Sequence, residues 1–457
     1  MSKSEQAIQY FRDNQKLMTG SYLDLVRIPS ISTDPDHKAD MVKAAQFLAS
    51  TLADLGFDRV EIFETKMHPI MFAEKKSGNP NAKTLLIYGH YDVQPVDPLD
   101  EWKSDPFEPE FRGEYLYARG ASDMKGQVMA SIIALDSVLK TTNLPINIKY
   151  LLEGEEEIGS PSLEGFIADH TDLLSCDMIL NPDAGMVGKD QPTLVYGLRG
   201  MTYFEVRVDG PKADLHSGLW GGNVANPAIV LSEIIAKLHN PDGSVAIHGF
   251  YDRVAPLNDE EREQIAANQT NEQVFLEVTG SPALYGEAGY TPLERQGARP
   301  TLDVNGFYSG FIGEGAKTII PAYAKAKISC RLVPNQDPVE IFELAKKYIL
   351  SIAPDTVRIK VFLHSAGPAY LANDAPGAQN LVDALSEVWQ TPVTFKREGG
   401  SIPVATVMQR ELGVKSLLTG FGLPDDAIHS PNERMHFPSW LKGIEALIRF
   451  YLSFGED

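Results

Sequence analysis

The chain has 457 residues, of which 41 are basic and 62 acidic, giving a formal net charge of −21. A surface field of that sign disfavours binding to nucleic acid and to anionic membranes. The hydrophobic share of 43% and the charged share of 23% are typical of a globular protein, and the length predicts two domains rather than one.

The first two hundred residues alternate between helical and strand patterns. Apolar residues at helical spacing predict helices over 39–55, 126–139 and 162–174, the first of which ends at Gly56. Short apolar runs predict strands over 60–63, 84–88, 147–152 and 178–180. Strands separated by helices indicate an α/β domain built around a largely parallel sheet.

The pattern changes near Gly200. Residues 201–208 and 322–332 alternate like half-exposed strands, and a further strand is predicted over 356–362. Helices are predicted over 227–238 and 338–351. The stretch 240–315 is rich in Gly, Pro, Asn and Asp, which predicts a long irregular segment with one helix near 259–267. These features favour a smaller α+β domain.

After residue 375 the helical and buried-strand patterns return, and the chain ends in an amphipathic helix over 440–452. We therefore predict an α/β fold with mostly parallel sheet and helices, interrupted by an inserted α+β domain. The predicted limits are 1–198 and 377–457 for the two segments of the first domain and 199–376 for the inserted domain.

The compartment is predicted from three absences. The two cysteines, Cys176 and Cys330, cannot form a disulfide framework and fit no paired ligand motif. The first 15 residues are polar and charged, unlike a signal peptide, and no apolar run approaches the roughly 18 residues that a membrane span requires. We expect a cytoplasmic protein with neither a membrane nor a nucleic acid as partner.

Side chains able to bind metals stand where predicted strands end. They are His90, Asp92, Asp123, Glu155, Glu156, Glu157 and Asp183. Carboxyl ends of parallel strands meet at one edge of a sheet, so these side chains should converge, and His429 can join them if the last segment rejoins the first domain. Singly each is ordinary: Asp123 suits a helix N-cap, and a Glu triplet is usually a solvated face. The collective pattern is what favours a metal site.

Such a set of nitrogen and oxygen donors suits Zn²⁺ or Mn²⁺. Two cations held close together need a shared carboxylate to offset their repulsion, and they can activate water and polarise an amide carbonyl. A nearby carboxylate that does not bind metal is then needed to accept and return a proton. A Glu beside a ligand Glu meets that need.

Five segments, in chain order, resemble motifs of the M20 metallopeptidases: Gly89–Val93, Ser122–Gly126, Glu156–Ser160, Asp214–Gly218 and Ala427–Ser430. The family includes dipeptidases, a carboxypeptidase, a desuccinylase and an aminoacylase. The resemblance implies one metal bound by His90 and Asp183, another bound by Glu157 and His429, and Asp123 bridging both. It further implies that Asp92 orients His90 and that Glu156 is the general base.

The resemblance also implies a cis peptide bond between Asp123 and Met124, where many dipeptidases have a second Asp in place of Met124. His216 resembles a histidine that reaches a neighbouring subunit's active site and stabilises an oxyanion, which implies a homodimer. The alternative is a purely structural role, in which His216 merely ends a strand.

Three further segments, 315–321, 331–335 and 397–403, are similar to the dipeptidase branch in particular. That similarity implies that Thr318, Arg331 and Ser401 contact the C-terminal carboxylate of the substrate. Arg331 offers the bidentate fork that a carboxylate prefers, although an Arg on a strand is otherwise a surface ion-pair partner.

The expected function is a di-metal dipeptidase, with Zn²⁺ or Mn²⁺, that hydrolyses small dipeptides with a free C-terminal carboxylate. One alternative is an N-acyl-amino-acid amidohydrolase of the same family, with the same chemistry on a substrate lacking a free amine. The other is a catalytically silent peptide-binding scaffold, but such proteins usually lose a ligand or the base, and none is missing here.

Overall fold

The computed structural model describes residues 1–266, 272–372, 375–399 and 403–455. The chain forms two compact units, and the smaller one is inserted into the larger one. The larger unit comprises Met1–Tyr196, Ala372–Phe395 and Pro403–Asp457, and the smaller comprises Gly197–Leu371 and Lys396–Ile402. No helix in the described ranges is long and apolar enough to cross a membrane.

The strands, in chain order, are β1 Arg59–Phe63, β2 Ile70–Lys75, β3 Thr84–His90, β4 Glu110–Arg112, β5 Tyr115–Tyr117, β6 Asn147–Glu153, β7 Met178–Asn181, β8 Thr193–Leu198, β9 Gly200–Asp209, β10 Leu215–His216, β11 Thr301–Ser309, β12 Ile319–Ile320, β13 Tyr323–Leu332, β14 Arg358–Gly367, β15 Tyr370–Leu371, β16 Thr394–Glu398, β17 Ser416–Leu418 and β18 Arg434–His436.

The α-helices are α1 Lys3–Val26, α2 Lys38–Asp54, α3 Lys125–Thr141, α4 Leu163–Asp169, α5 Thr171–Leu174, α6 Ser217–Trp220, α7 Pro227–Ala236, α8 Asp259–Ala266, α9 Glu272–Thr279, α10 Pro292–Ala298, α11 Pro338–Ser351, α12 Ala378–Trp389, α13 Pro403–Leu412 and α14 Phe437–Ser453. Short 3₁₀ helices lie at Pro35–His37, Leu99–Glu101 and Glu156–Ile158.

The larger unit is built on a sheet in which the strands follow the order β1-β2-β6-β3-β7-β17-β8. The four central strands, β6, β3, β7 and β17, are parallel, whereas β1, β2 and β8 pair antiparallel. The central strands are almost wholly buried, as expected for continuous apolar runs covered on both faces. Their carboxyl ends therefore lie side by side, and the loops that follow them share one edge of the sheet.

Helices α1, α3 and α14 pack together in the larger unit. Helix α3 is buried along nearly its whole length, which explains why its apolar residues are not confined to one stripe. Gly126 permits the closest approach in this layer: a Cβ there would collide with the main-chain oxygen of Ala121 and lie 2.8 Å from Tyr22 Oη. Trp440 stacks on Tyr22 and donates from Nε1 to Gly126 O at 2.7 Å.

The smaller unit is an antiparallel four-stranded sheet, in the order β11-β13-β9-β14, with helices α7 and α11 packed on it. Strand β9 alternates strictly between buried and half-buried residues. Its inward side chains Phe204, Val206 and Val208 form a core with residues of both helices, including Leu231 and Phe342. The predicted α/β fold with an α+β insertion is confirmed.

The segment that was predicted to be irregular differs from its prediction. Residues 240–315 were expected to be largely irregular, but they contain helices α8, α9 and α10 and the nine-residue strand β11. Strand β11 is an edge strand with mostly exposed side chains and a register shift between Val304 and Gly306. Its sequence contains Asp, Asn and Gly and does not by itself predict a strand. The strand forms because its main chain pairs with β13.

Candidate metal centre and active site

His90 ends strand β3 and is fully buried. Its Nε2 lies 3.2 Å from Asp123 Oδ1 and 3.9 Å from Asp183 Oδ1. Its Nδ1 faces the other way, 3.1 Å from Asp92 O and 3.3 Å from Asp92 Oδ1. Asp92 thus fixes the ring so that Nε2 points to the two carboxylates, the arrangement that a ligand histidine requires.

His429 completes a second group around the same aspartate. Its Nε2 lies 3.0 Å from Asp123 Oδ2 and 3.2 Å from Glu157 Oε2. Asp123 therefore presents one oxygen to each histidine. The peptide bond between Asp123 and Met124 is cis, as the family resemblance predicts.

These contacts define two triads with one shared member. His90, Asp123 and Asp183 form one triad, and Asp123, Glu157 and His429 form the other; within each, potential ligand atoms lie within 4.8 Å of one another. A shared carboxylate between two mixed nitrogen and oxygen sets is what a pair of divalent cations needs, so the residues present fit such a pair. Their roles as individual ligands remain predictions.

The electrostatics of the triads favour added positive charge. Hydrogen bonds to Asp123 and Glu157 raise the pKa of His429 to about 10. Burial acts to lower the pKa of His90, but Asp123 and Asp92 outweigh it and hold that pKa well above its usual range. Burial, with neighbouring carboxylates, raises the pKa of Asp183. Protons on these groups compensate for crowded negative charge that a cation would neutralise.

The Glu155–Glu157 triplet, on the turn after strand β6, has three different environments. Glu155 is buried, and its carboxylate accepts hydrogen bonds from Thr65 Oγ1, His68 N and Ser162 N and Oγ, all at 2.8–2.9 Å. It anchors the turn, so the reading of the triplet as a solvated acidic face is wrong.

The other two members of the triplet face the triads. Glu157 Oε2 accepts from Gln94 Nε2 at 2.7 Å, and its main-chain N donates to Asp92 Oδ2 at 3.1 Å. Burial and the charges of Glu157 and Asp123, opposed by His90, raise the pKa of Glu156 to about 7. Glu156 is therefore a carboxyl group that can exchange a proton near neutral pH.

Three of the remaining predicted residues, His216, Thr318 and Arg331, lie in the smaller unit. His216 ends strand β10, is exposed, and caps helix α6 by accepting from Gly218 N at its Nδ1, 3.0 Å away. Because Nδ1 accepts, the neutral ring carries its proton on Nε2, where it can be donated. Thr318 lies beside it, with Ser217 N donating to Thr318 O at 3.1 Å. Ser401 lies outside the described residues.

Arg331 lies on strand β13, half-buried, with a second arginine nearby. Burial, followed by the charge of Arg331, lowers the pKa of Arg199 to about 10. Arg199 also donates from Nε to Gly399 O at 3.0 Å. The positive charges of Arg199 and Arg331 act on each other, and together they attract an anion more strongly than either charge alone. Arg199 is not among the residues predicted from sequence, since a lone Arg at a strand end carries no distinguishing pattern.

Residues 86–453 match the model of Peptidase family M20/M25/M40. The chain belongs to this family. The Cys-Gly metallodipeptidase DUG1 of Candida albicans is 33% identical to it, over 92% of this chain and 91% of the relative. The Beta-Ala-His dipeptidase of Homo sapiens is 28% identical, over 99% of this chain and 93% of the relative. The predicted family membership is confirmed.

A solved structure agrees. The M20 family metallo-carboxypeptidase Sso-CP2 from Sulfolobus solfataricus has a TM-score of 0.85 and 34% identity, and the match covers 96% of this chain and 99% of that one. The present M20 peptidase is thus an enzyme of the metallopeptidase type, and each of the two triads is a group of side chains that could hold a divalent metal ion.

Proposed function

We propose that this M20 peptidase is a dipeptidase that uses two divalent metal ions to hydrolyse dipeptides with a free C-terminal carboxylate. Zn²⁺ is the first choice for these ions and Mn²⁺ is the alternative. The observation that carries the proposal is that Asp123 gives one carboxylate oxygen to each of two ligand triads, beside the proton-accepting Glu156. His90 and Asp183 would hold one ion, Glu157 and His429 the other.

The chain's own residues supply binding, orientation and proton transfer. When bound, the cations polarise the scissile carbonyl and acidify water. Glu156 accepts a proton from the attacking water and passes it to the leaving amine. His216 donates from Nε2 to the oxyanion, with Asp92 keeping His90 oriented. Arg331 and Thr318, together with Ser401, bind the substrate carboxylate.

The substrate class rests on the relatives and on the arginine pair. The names of both curated relatives specify dipeptides, Cys-Gly and Beta-Ala-His. The combined positive charge of Arg199 and Arg331 suits a free carboxylate. The identity of 34% to a metallo-carboxypeptidase favours one second candidate, removal of the C-terminal residue from longer peptides. The N-acyl-amino-acid hydrolase remains an alternative within the family.

Assembly and compartment complete the proposal. We infer a homodimer in which the inserted domain, 199–376, serves as lid and dimerisation domain and carries His216 to the neighbouring active site. A cytoplasmic location is supported by two cysteines, Cys176 and Cys330, that form no disulfide.

One panel of substrates tests the reaction. The enzyme is stripped with a chelator, reloaded with Zn²⁺ or Mn²⁺ to a ratio fixed by elemental analysis, and assayed on dipeptides, tripeptides, N-acetylated dipeptides and C-terminally amidated dipeptides. We expect two ions per chain and turnover of free dipeptides only. Preference for the tripeptides supports the carboxypeptidase, and preference for N-acetylated substrates supports the amidohydrolase.

Arg331→Ala tests carboxylate recognition separately. We expect kcat/KM for a free dipeptide to fall by about 10²-fold or more, because a charged hydrogen-bonding partner is lost from the site. Amidating the substrate should cause a similar loss in the native enzyme and little further loss in the variant. Arg358→Ala, which removes an exposed arginine of strand β14, is the control. Equal rates of the native enzyme on free and amidated substrates would remove Arg331 from this role.

A further inference from the structure

Glu433 is a buried carboxylate that belongs to neither ligand triad. It lies four positions after His429 and directly before strand β18. Strand β18 pairs antiparallel with β5, with Arg434 opposite Tyr117, and the main-chain N of Ala118 donates to Glu433 O at 3.1 Å. This pairing brings Glu433 against the segment 119–123, which leads to the shared ligand Asp123.

Both oxygens of Glu433 are filled by donors of that segment. Oε1 accepts from the main-chain N of Ser122 at 2.9 Å and of Asp123 at 3.1 Å. Oε2 accepts from Arg119 Nη1 at 2.7 Å and from Gly120 N at 3.0 Å. A buried carboxylate with four donors and a cationic partner is held in one orientation, and it holds its donors equally firmly.

The loop that carries His429 needs such support. Ala427, His429 and Asn432 have positive φ angles of 54°, 62° and 65°. Non-glycine residues in the left-handed region are strained, and they persist only where the surroundings impose this conformation. Glu433 fixes one end of this loop, and Asp426 fixes the other by accepting from Ser122 Oγ at 3.1 Å and Leu423 N at 2.7 Å.

We propose that Glu433 is a positioning residue of the metal centre, which clamps segment 119–123 to the His429 loop and so sets Asp123 and His429 at the spacing that both ions require. The inference rests on the proposed metal-binding roles of Asp123 and His429. Glu433 acts through main-chain groups and binds no ion itself. The clamp joins residues about three hundred positions apart, so that the shared ligand and the last ligand move as one unit.

The variant Glu433→Gln tests the clamp. In the variant an NH₂ group, which is a donor, replaces one carboxylate oxygen, so two of the four donors lose their acceptor. We expect the dissociation constant for Zn²⁺, measured by competition with a chromophoric chelator, to rise about 10- to 100-fold, the usual effect of losing a group that orients ligands. In the reloaded enzyme kcat should fall while KM changes less than threefold. Glu114→Gln, which alters an exposed carboxylate near β5, is the matched control and should leave the constant unchanged.

A second variant and a measurement on the native enzyme complete the test. Glu433→Asp keeps the charge opposite Arg119, but its side chain is too short to reach both pairs of donors. This variant should therefore fold even if Glu433→Gln does not, and it should bind Zn²⁺ at least tenfold more weakly than the native enzyme. In the native enzyme stripped of metal, hydrogen exchange at the amides of Ser122 and Asp123 should be slow, because their acceptor is Glu433 and not a ligand of the ions.

The outcomes separate the clamp from the proposed function. If the native enzyme binds no Zn²⁺ and hydrolyses no dipeptide, the function fails. If it does both, but either Glu433 variant folds and binds Zn²⁺ within threefold of native, Glu433 is merely structural. Fast exchange of the Ser122 and Asp123 amides in the stripped native enzyme would also overturn the clamp, whether or not the variants fold.

Discussion

Glu156 is the residue on which proton transfer depends, and Glu156→Gln tests it with the smallest change of shape. The amide cannot accept a proton from water, so we expect kcat to fall by about 10²- to 10⁴-fold. The triads do not include Glu156, so two ions should still bind. On the same preparation, steady-state kinetics measure kcat and elemental analysis measures the number of bound ions. Glu164→Gln, at an exposed carboxylate of helix α4, is the control.

A rate for Glu156→Gln within about tenfold of native corresponds to a barrier change of only about 1.4 kcal/mol, which is too small for loss of a general base. That result, with both ions still bound, would assign proton transfer to another group. Loss of an ion would instead indicate that Glu156 coordinates metal.

His429 makes metal binding depend on pH. Hydrogen bonds to Asp123 and Glu157 raise its pKa to about 10, so at pH 8 the ring is protonated before an ion binds. A ligand histidine must be neutral, so binding releases that proton, and the affinity for Zn²⁺ should rise with pH by up to about tenfold per unit below pH 10 for each proton released. Isothermal titration in two buffers of different ionisation enthalpy should count at least one proton at pH 8.

The variant His429→Ala is the control for this count, since it should release at least one proton fewer and bind Zn²⁺ more weakly. Equal proton release by the variant and the native enzyme would mean that the proton comes from another group. His90, whose pKa is also raised, is the next candidate in that case.

At the scale of elements, the start of helix α3 joins the packing of the larger unit to the position of Asp123. Gly126→Ala places a Cβ against Ala121 O and 2.8 Å from Tyr22 Oη. Overpacking of this kind costs about 1–3 kcal/mol, so we expect the free energy of unfolding, from urea denaturation of the stripped enzyme, to fall by that amount. Because Asp123 immediately precedes this turn, Zn²⁺ should also bind more weakly.

Helix α4 offers the matched control. Gly165 lies inside it, and a Cβ there would have no atom within 4 Å. Replacing a helical Gly with Ala favours the helix by about 0.5–1 kcal/mol, so Gly165→Ala should stabilise the protein or leave it unchanged. If Gly126→Ala were as stable as Gly165→Ala, the layer of α1, α3 and α14 would be looser than the contacts of Gly126 imply.

Elements with strong local periodicity could be predicted from sequence. Helix α11 was predicted over 338–351, as observed, and the strand at 147–152 is one residue longer in the structure. Their apolar spacing is set by the faces they bury. Strand β11 could not be predicted, because its order comes from pairing with β13 and not from an apolar pattern of its own. Helix α1 was not predicted either; its buried residues are interrupted by the polar residues 12–16.

The same distinction holds within the candidate site. The strand-end rule and five motifs pointed to the members of both triads, and the structure brings the potential ligand atoms of each triad within 4.8 Å of one another. Glu433 could not be found in this way, because its importance lies in four donors that are remote in sequence. A single sequence carries no signal for such a pairing.

For the whole molecule, the proposed dimer predicts that two inactive variants can restore activity to each other when their subunits mix. If His216 serves the neighbouring active site, then His216→Ala and Glu156→Gln damage complementary halves of each site. Mixing the two inactive variants lets subunits exchange: half of the dimers are then mixed, and each mixed dimer has one intact site of two. We therefore expect recovery of about one quarter of native activity.

The mixing experiment has a built-in control, because His216→Ala mixed with itself should stay inactive under the same exchange conditions. Sedimentation equilibrium of the native enzyme establishes beforehand that dimers form. If dimers exchange and no activity returns, His216 acts within its own chain or not at all, and its cap on helix α6 is then its whole role. A monomer that is active alone would end the dimer proposal while leaving the triads and Glu156 untouched.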